Sequence, residues 1–454
     1  SVGATLLAST LPGCITRPFA RPAVGEVVVV GAGIAGITIA RDLQALGYGV
    51  TILEGQDRIG GRIHTDHSLG TPVELGASRL RGQKGNPLTP LLETAGVTYT
   101  KVEWSNLSGR SSEGIPLDEK KLSNAKGDFI RMLAKAFIRN MGRDEDVSIA
   151  EVIERERILR KFTPEEELIL NFSLASGEIA NGSPFVDASW KNVREYQGFG
   201  GSDQYITNGY DALPAYLAQD LDIRTNQHVQ SIDYTSSPVK ITTQDETLKA
   251  NYVVVTASLG VLQSGGIRFS PELPLEKQCA IDRMGMGTTN KIALRFPKAF
   301  WDTSKYALAH GTTSFGNFPV FINVDGYSEE SHPVLMALLP QSYRNALDYV
   351  SDEAAVREAH QVLQGMYGTD IPSPIAGVRT QWKSNPFTQG AFSYNKLGSP
   401  GTDRDDLAAP VENRLFFAGE ATSRHNFGSV SGAYLSGQRV AQEILQASAP
   451  VQGT

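Results

Sequence analysis

Residues 26–54 read EVVVVGAGIAGITIARDLQALGYGVTILE: an apolar run, a glycine turn, a segment of helical period and a second apolar run. That succession predicts a β-α-β unit of about 30 residues. Gly31, Gly33 and Gly36 hold the G-x-G-x-x-G positions. In such a turn the first glycine makes the bend, the second lets backbone approach a pyrophosphate, and the third lets helix and strand pack closely. The helix start then offers free N–H groups to phosphates. The turn alone does not choose among NAD, NADP and FAD. Glu54 narrows the choice, because it closes the second strand 18 residues after Gly36, near the roughly 20-residue offset of a ribose-binding acid. A carboxylate there disfavours a 2′-phosphate, and with it NADP.

The next stretch, DRIGGRIHT (57–65), separates FAD from NAD. Glu54, Arg58, Gly60, Gly61 and Arg62 fit E-x-x-x-R-x-G-G-R, in which a second glycine turn and an arginine sit against the pyrophosphate. The plain alternative is a loop with Arg62 as a surface charge. With both motifs in register behind a predicted strand, FAD is the expected cofactor.

A chain of 454 residues, 41% of them hydrophobic, is long enough for two domains with separate cores. Its 42 basic and 49 acidic residues leave a net charge of -7, which argues against a nucleic-acid partner. Two isolated cysteines, Cys14 and Cys279, cannot build a disulfide framework, a zinc site or a Cys-x-x-Cys pair. Redox chemistry must come from a bound cofactor. Val2 to Leu11 is small and apolar and leads into Leu11-Pro12-Gly13-Cys14, which reads as the end of an export signal with a lipid anchor at Cys14. A flavoprotein folded around its cofactor would leave by a twin-arginine route, to the bacterial periplasm or a membrane anchor. The alternative is a tail on a cytoplasmic protein, and residues 1–24 are excluded from the fold either way. No later stretch approaches the roughly 20 apolar residues of a spanning helix.

Beyond the first unit, residues 120–180 turn helical. Phe129, Met132, Leu133, Ala136, Phe137 and Met141 share a face, and Ser148 with Glu151 and Thr163 with Glu166 look like capping boxes. Strands are expected in LDIRTNQHVQSIDY and PVKITTQDETLKANYVVVTA (within 221–257), a helix in DEAAVREAHQVLQGMYG (352–368), and a last strand and helix in RLFFAGE (414–420) and SGAYLSGQRVAQEILQ (431–446). The order predicts an α/β fold: a Rossmann-type FAD-binding domain from the discontinuous segments 25–100, 200–266 and 381–454. Residues 101–199 and 267–380 would form a mixed-sheet, helix-flanked substrate domain.

Four stretches carry a family resemblance: VELGASRLRGQKGNPL (73–88), the segment from Val253 to Trp301, QWKSNPFTQGAFSY (381–394) and LFFAGEATSRHNFGSVSGAYLSGQR (415–439). They resemble the flavin amine oxidases, which include monoamine oxidases, polyamine oxidases, lysine-specific histone demethylases and L-amino acid oxidases. Likeness runs from about residue 26 to 445, and the second and third stretches look most like polyamine oxidases and histone demethylases. The resemblance implies that Lys291 holds a water beside flavin N5, that Trp382 and Phe392 wall the substrate side, and that Gly76, Ala77, Ser78, Val229, Gly419, Glu420 and Val430 touch the cofactor. Glu420 would end an apolar strand without a partner, which favours a ligand role. Ala391 stands where monoamine oxidases tether FAD through cysteine, so FAD is expected to be non-covalent. Ser429 stands where they carry a cage tyrosine, which argues against a small arylalkylamine specialist.

Arg79 departs from the pattern. Polyamine oxidases carry an aromatic residue there and an acid or histidine at the place of Arg81, whereas L-amino acid oxidases have an arginine that grips the substrate carboxylate through its bidentate fork. The plain alternative is that Arg79 pairs with an internal acid or with the cofactor. The expected reaction is hydride transfer from the carbon beside an amine to flavin N5, imine hydrolysis, and reoxidation by O2 to hydrogen peroxide. A polyamine-type substrate is favoured by overall likeness, and an L-amino acid by Arg79. A flavin-binding protein with incidental turnover is the reading from another class.

Overall fold

The computed structural model describes residues 24–449 apart from 141–144, 325, 327–331, 343–346 and 349. Cys14 and Met141 lie outside the described residues, so neither the anchor nor the last position of that helical face is placed.

A five-stranded parallel sheet runs in the order Leu415–Phe417, Tyr252–Val255, Glu26–Val30, Gly49–Leu53, Asp222–Arg224. Val27 and Val29 pack with Ile37, Leu43, Val440 and Ile444 of the helices Ile34–Ala45 and Val430–Ser448. Val28 and Val30 pack on the opposite side with Val229, Ile232, Val239 and Ile241 of a four-stranded sheet. Burial on both faces is why Val27 to Val30 is a continuous apolar run, and it is what a parallel sheet requires. The two helices approach so closely that a Cβ on Gly437 would lie 2.7 Å from the Ala35 carbonyl.

A six-stranded sheet follows the order Ala376–Arg379, Asn290–Arg295, Val334–Leu339, Val320–Asn323, Ala307–Gly311, Leu107–Ser111. It is antiparallel except for its last pair. Period two sorts its side chains. Ile292, Leu294, Leu308 and Phe321 meet Ala355, Ala359, Leu363 and Met366 of the helix Asp352–Tyr367. Ala293, Ala307, Ile322 and Met336 face the other way, toward Phe172 and Ile179 of the helix Pro164–Asn181. Lys291 shares the parity of Ala293, so its side chain belongs to that second face. Two short pairings join the layers: Arg79 opposite Tyr205, and Gly287 opposite Phe392.

The capping signals divide. Thr163 and Glu166 form the full reciprocal box, and Pro164 opens the helix. Ser148 accepts the Glu151 N–H, but the Glu151 carboxylate pairs with Arg155 one turn on, so that end has a simple cap. Among the described residues no helix is long and apolar enough to cross a membrane.

Candidate active site

The glycine turn opens a cavity of about 290 Å³ that continues from the edge of the parallel sheet to the inner face of the six-stranded sheet. Its first half is built by backbone. Gly31 has φ +108°, and a Cβ there would lie 2.5 Å from Thr256 Oγ1. A Cβ on Gly36 would lie 2.1 Å from the Gly31 carbonyl, which is the close helix–strand approach the third glycine allows. Gly33 faces open space on the cavity wall, with no atom within 4 Å of an added Cβ. A narrow, side-chain-free wall at a helix start is the cradle a pyrophosphate needs.

Glu54 closes this half. It is buried, and its two oxygens accept the Ala32 and Gln56 N–H groups at 2.8 and 2.9 Å. Each carboxylate oxygen retains a second lone pair for a ribose hydroxyl. Gly60, Gly61, Arg62, Gly76, Ala77, Ser78, Val229, Trp382, Gly419, Glu420 and Val430 also line the cavity. Gly36 and Arg58 do not: Gly36 acts by packing, and Arg58 turns to a neighbouring recess, where it donates to the Ile59 and Ile63 carbonyls. The residues present fit a flavin dinucleotide.

Glu420 is not short of partners. It accepts from Arg62 (2.8 Å), the Ser393 N–H (3.0 Å), the Ser393 hydroxyl (2.7 Å) and the Gly428 N–H (2.7 Å). Burial alone would raise its pKa, but Arg62, Arg404 and these hydrogen bonds outweigh burial and hold it below the usual carboxylate range. The partner that a buried acid needs here is supplied by protein: this carboxylate locks Arg62, whose Nη1 also donates to the Ala391 carbonyl, while Glu420 still lines the cavity. Ser429, in place of an aromatic, caps the helix Val430–Ser448 by accepting the Gly432 N–H at 3.0 Å.

The second half of the cavity holds Lys291, 8% exposed. Its ammonium donates to the Glu74 and Gly76 carbonyls at 2.7 and 2.6 Å. An ammonium has three donors, so one remains for the cavity. Burial lowers the Lys291 pKa; the Glu74 carboxylate opposes that and Arg79 adds to it. Burial raises the pKa of Glu74 against the Tyr210 N–H and Thr65 hydroxyl it accepts and the Lys291 charge. Sequence reading passed over Glu74, although an acid between Val73 and Leu75 in an apolar stretch is itself a signal.

Around Lys291 stand Trp104, Tyr205, Tyr306, Ile322, Met336, Leu338 and Phe392. Of these only Phe392 was expected, because the others come from five separate strands and loops that meet only in the fold. The Arg79 guanidinium lies 5.8 Å from the Trp104 ring. Among the described residues it has no hydrogen-bond or ion-pair partner, so the internal ion pair considered for it is absent there. Arg79 and Arg81 also line a second chamber of about 270 Å³, which adjoins the first through Phe392 and Gly428.

The family profile described as flavin containing amine oxidoreductase matches residues 34–445. The lysine-specific histone demethylase 1 homolog 2 of Arabidopsis thaliana is 36% identical over 93% of this chain and 58% of its own length. The human lysine-specific histone demethylase 2 is 34% identical over 92% and 53%. The chain thus spans little more than half of these relatives. Polyamine oxidase 2 of Arabidopsis thaliana is 34% identical over 92% of this chain and 87% of its own length. A structure of a putrescine oxidase double mutant redesigned for cofactor binding superposes with a TM-score of 0.73 at 18% identity, over 93% of this chain and 99% of that one. With the dinucleotide cradle in place and the profile matched across nearly the whole fold, the chain belongs to the flavin-containing amine oxidoreductase family.

Proposed function

We propose that this protein is an FAD-dependent amine oxidase whose substrate carries a carboxylate as well as the amine that is oxidised. FAD, when bound, supplies the hydride acceptor and the electron path to O2. The protein's part is to hold, orient and keep dry. Gly31, Gly33 and the helix start would hold the pyrophosphate, Glu54 the ribose, and Trp382, Phe392 and Val430 the ring end. The amine must arrive neutral so that its nitrogen lone pair assists as hydride leaves the adjacent carbon. Lys291 and Arg79 line the same space, and their positive field favours the neutral amine over its ammonium. The third hydrogen of the Lys291 ammonium is placed to hold a water in the cavity, ready for imine hydrolysis and for charge developing on oxygen.

The observation that carries the carboxylate reading is the unpartnered Arg79 guanidinium on the cavity wall. The two acids of the main cavity, Glu54 and Glu420, already accept protein N–H and O–H groups, so a polyamine dication meets more positive charge than negative there. The polyamine reading rests on the likeness to polyamine oxidase 2. One substrate pair separates them: L-lysine and cadaverine differ only in the carboxylate. Peroxide release with lysine well above cadaverine supports the proposal, and the reverse order hands the function to the polyamine reading. No peroxide from any amine or amino acid leaves a flavin-binding protein with incidental turnover. Non-covalent FAD belongs to the same proposal, since Ala391 offers no thiol.

A further inference from the structure

Among the described residues, the lining of the second chamber holds two arginines and one acid. Arg79 and Arg81 enter it from one stretch of chain, two residues apart. Arg81 sits 5.6 Å from the Tyr196 ring and 6.0 Å from the Phe392 ring, with one N–H on the Ala180 carbonyl at 2.6 Å. Ring contacts of this kind hold a guanidinium plane while leaving its edge donors free.

Asn395, 6% exposed, is also on the chamber wall. Its Oδ1 accepts from Arg404 Nε at 2.9 Å. A guanidinium has no acceptor, so that bond fixes which end of the amide is which. Asn395 Nδ2 is then a buried donor with no partner among the described residues, a costly arrangement unless something in the chamber accepts from it. The one acid of the chamber, Asp203, has an oxygen accepting the Gly82 N–H at 3.0 Å. Against it stand two guanidinium groups.

We propose that this chamber is a second acid-binding subsite, built from Arg81 and Asn395, that takes the far carboxylate of a substrate whose near carboxylate is read by Arg79. This rests on the carboxylate reading above and sharpens it to an aminodicarboxylate. Residues two apart in extended backbone have Cα atoms about 7 Å apart. That separation suits acid groups joined by a short carbon chain, as in L-glutamate and its one-carbon-longer homologue. The aromatic walls, Tyr196, Phe199 and Phe427, would cover the methylenes between.

The test uses the flavin-loaded enzyme with L-glutamate and L-norvaline, which share the amine and near carboxylate but differ in the far acid. Wild type is expected to favour glutamate in kcat/KM by about 30-fold or more. Arg81→Gln keeps a donor for the Ala180 carbonyl, and Asn395→Asp keeps an acceptor for Arg404 Nε while replacing the free donor with an acceptor. Each is expected to bring the ratio to within about 3-fold of unity by lowering glutamate and sparing norvaline. Calorimetry with glutarate and pentanoate gives a readout without turnover: glutarate should bind wild type at least tenfold tighter than pentanoate, and Arg81→Gln should erase the difference. Equal use of glutamate and norvaline by wild type, or equal losses on both in the variants, overturns the subsite while leaving the carboxylate reading intact. Turnover of cadaverine with neither amino acid used overturns both.

Discussion

Glu74→Gln is the sharpest probe of the catalytic half of the cavity, because it removes one charge and almost nothing else. The amide can still accept the Tyr210 N–H, and the Thr65 hydroxyl can turn from donor to acceptor. What is lost is the negative charge that opposes the burial of Lys291. Lys291 Nζ touches the Glu74 carbonyl at 2.7 Å, which puts the ammonium about one side-chain length, about 6 Å, from the carboxylate. At that distance and an effective dielectric of about 20, two unit charges interact by about 3 kcal/mol, and about 1.4 kcal/mol is one pKa unit. The Lys291 pKa, already lowered by burial and Arg79, should fall further, with the Coulomb figure as the upper bound reached where Glu74 is fully ionised. The sign follows from which form Glu74 favours: it supports the ammonium, so without it the ammonium survives only at lower pH. If a charged Lys291 is what speeds the reaction of reduced flavin with oxygen, the rate in the variant should drop at neutral pH and return as pH is lowered. Stopped-flow reoxidation from pH 5 to 9 reads this directly. Lys291→Met is the control and should be slow and flat across that range. A Glu74→Gln profile superimposable on wild type, or wild-type reoxidation in Lys291→Met, would remove the pair from the mechanism.

The purified protein should be yellow, and acid or heat should release intact FAD into the supernatant, whereas colour that stays with the pellet means a covalent link. Arg79→Ala should lower kcat/KM for L-lysine by about 30-fold to several thousand-fold, the equivalent of about 2–5 kcal/mol for one side of a buried charged contact, and leave cadaverine unchanged or improved. An equal loss on both substrates would make Arg79 structural. Glu420→Ala should destabilise the fold by about 3–5 kcal/mol, since it strands Arg62 and the buried Arg404 beside it, and chemical denaturation reads the shift. Because the folded pKa of Glu420 is depressed, its contribution is present above the ordinary carboxylate pKa and lost as pH falls through the folded value. An acid-unfolding midpoint unchanged in Glu420→Gln would contradict that assignment. Expressed from its full gene, the protein should be processed at Cys14 and lipidated, and an intact mass beginning upstream of Cys14 excludes the exported reading.

What could be read from the chain in advance was whatever one short stretch of residues decides. Gly31, Gly36 and Glu54 are such cases, since a turn, a close approach and a strand end are local geometry, and the structure shows the bend at Gly31, the close approach at Gly36 and Glu54 on the cavity wall just past its strand. Lys291 could be placed on a strand, but its two carbonyl partners come from residues more than 200 positions away, and no periodicity carries that information. Glu420 shows the same limit: the chain shows that an acid at the end of an apolar strand needs a partner, but not that Arg62, Ser393 and Gly428 converge on it from three separate segments. The second chamber was illegible for the same reason: Arg81, Tyr196 and Asn395 are each unremarkable in sequence, and their meaning is the surplus of donors that appears only when they share one wall.

A surplus of donors is also where this chain parts from the chemistry its polyamine likeness suggests. The dinucleotide cradle needs backbone, and it tolerates almost any residue that is not in the way. The substrate walls need particular charges, and here the arginines stand at the two positions where polyamine oxidases carry an aromatic and an acid or histidine. On the proposed reading, positive charge at both positions with Lys291, Trp382 and Phe392 kept would leave the means of oxidising an amine in place and change which amine is admitted. The cofactor half of the site therefore argues for the family, and only the arginine wall argues for the substrate.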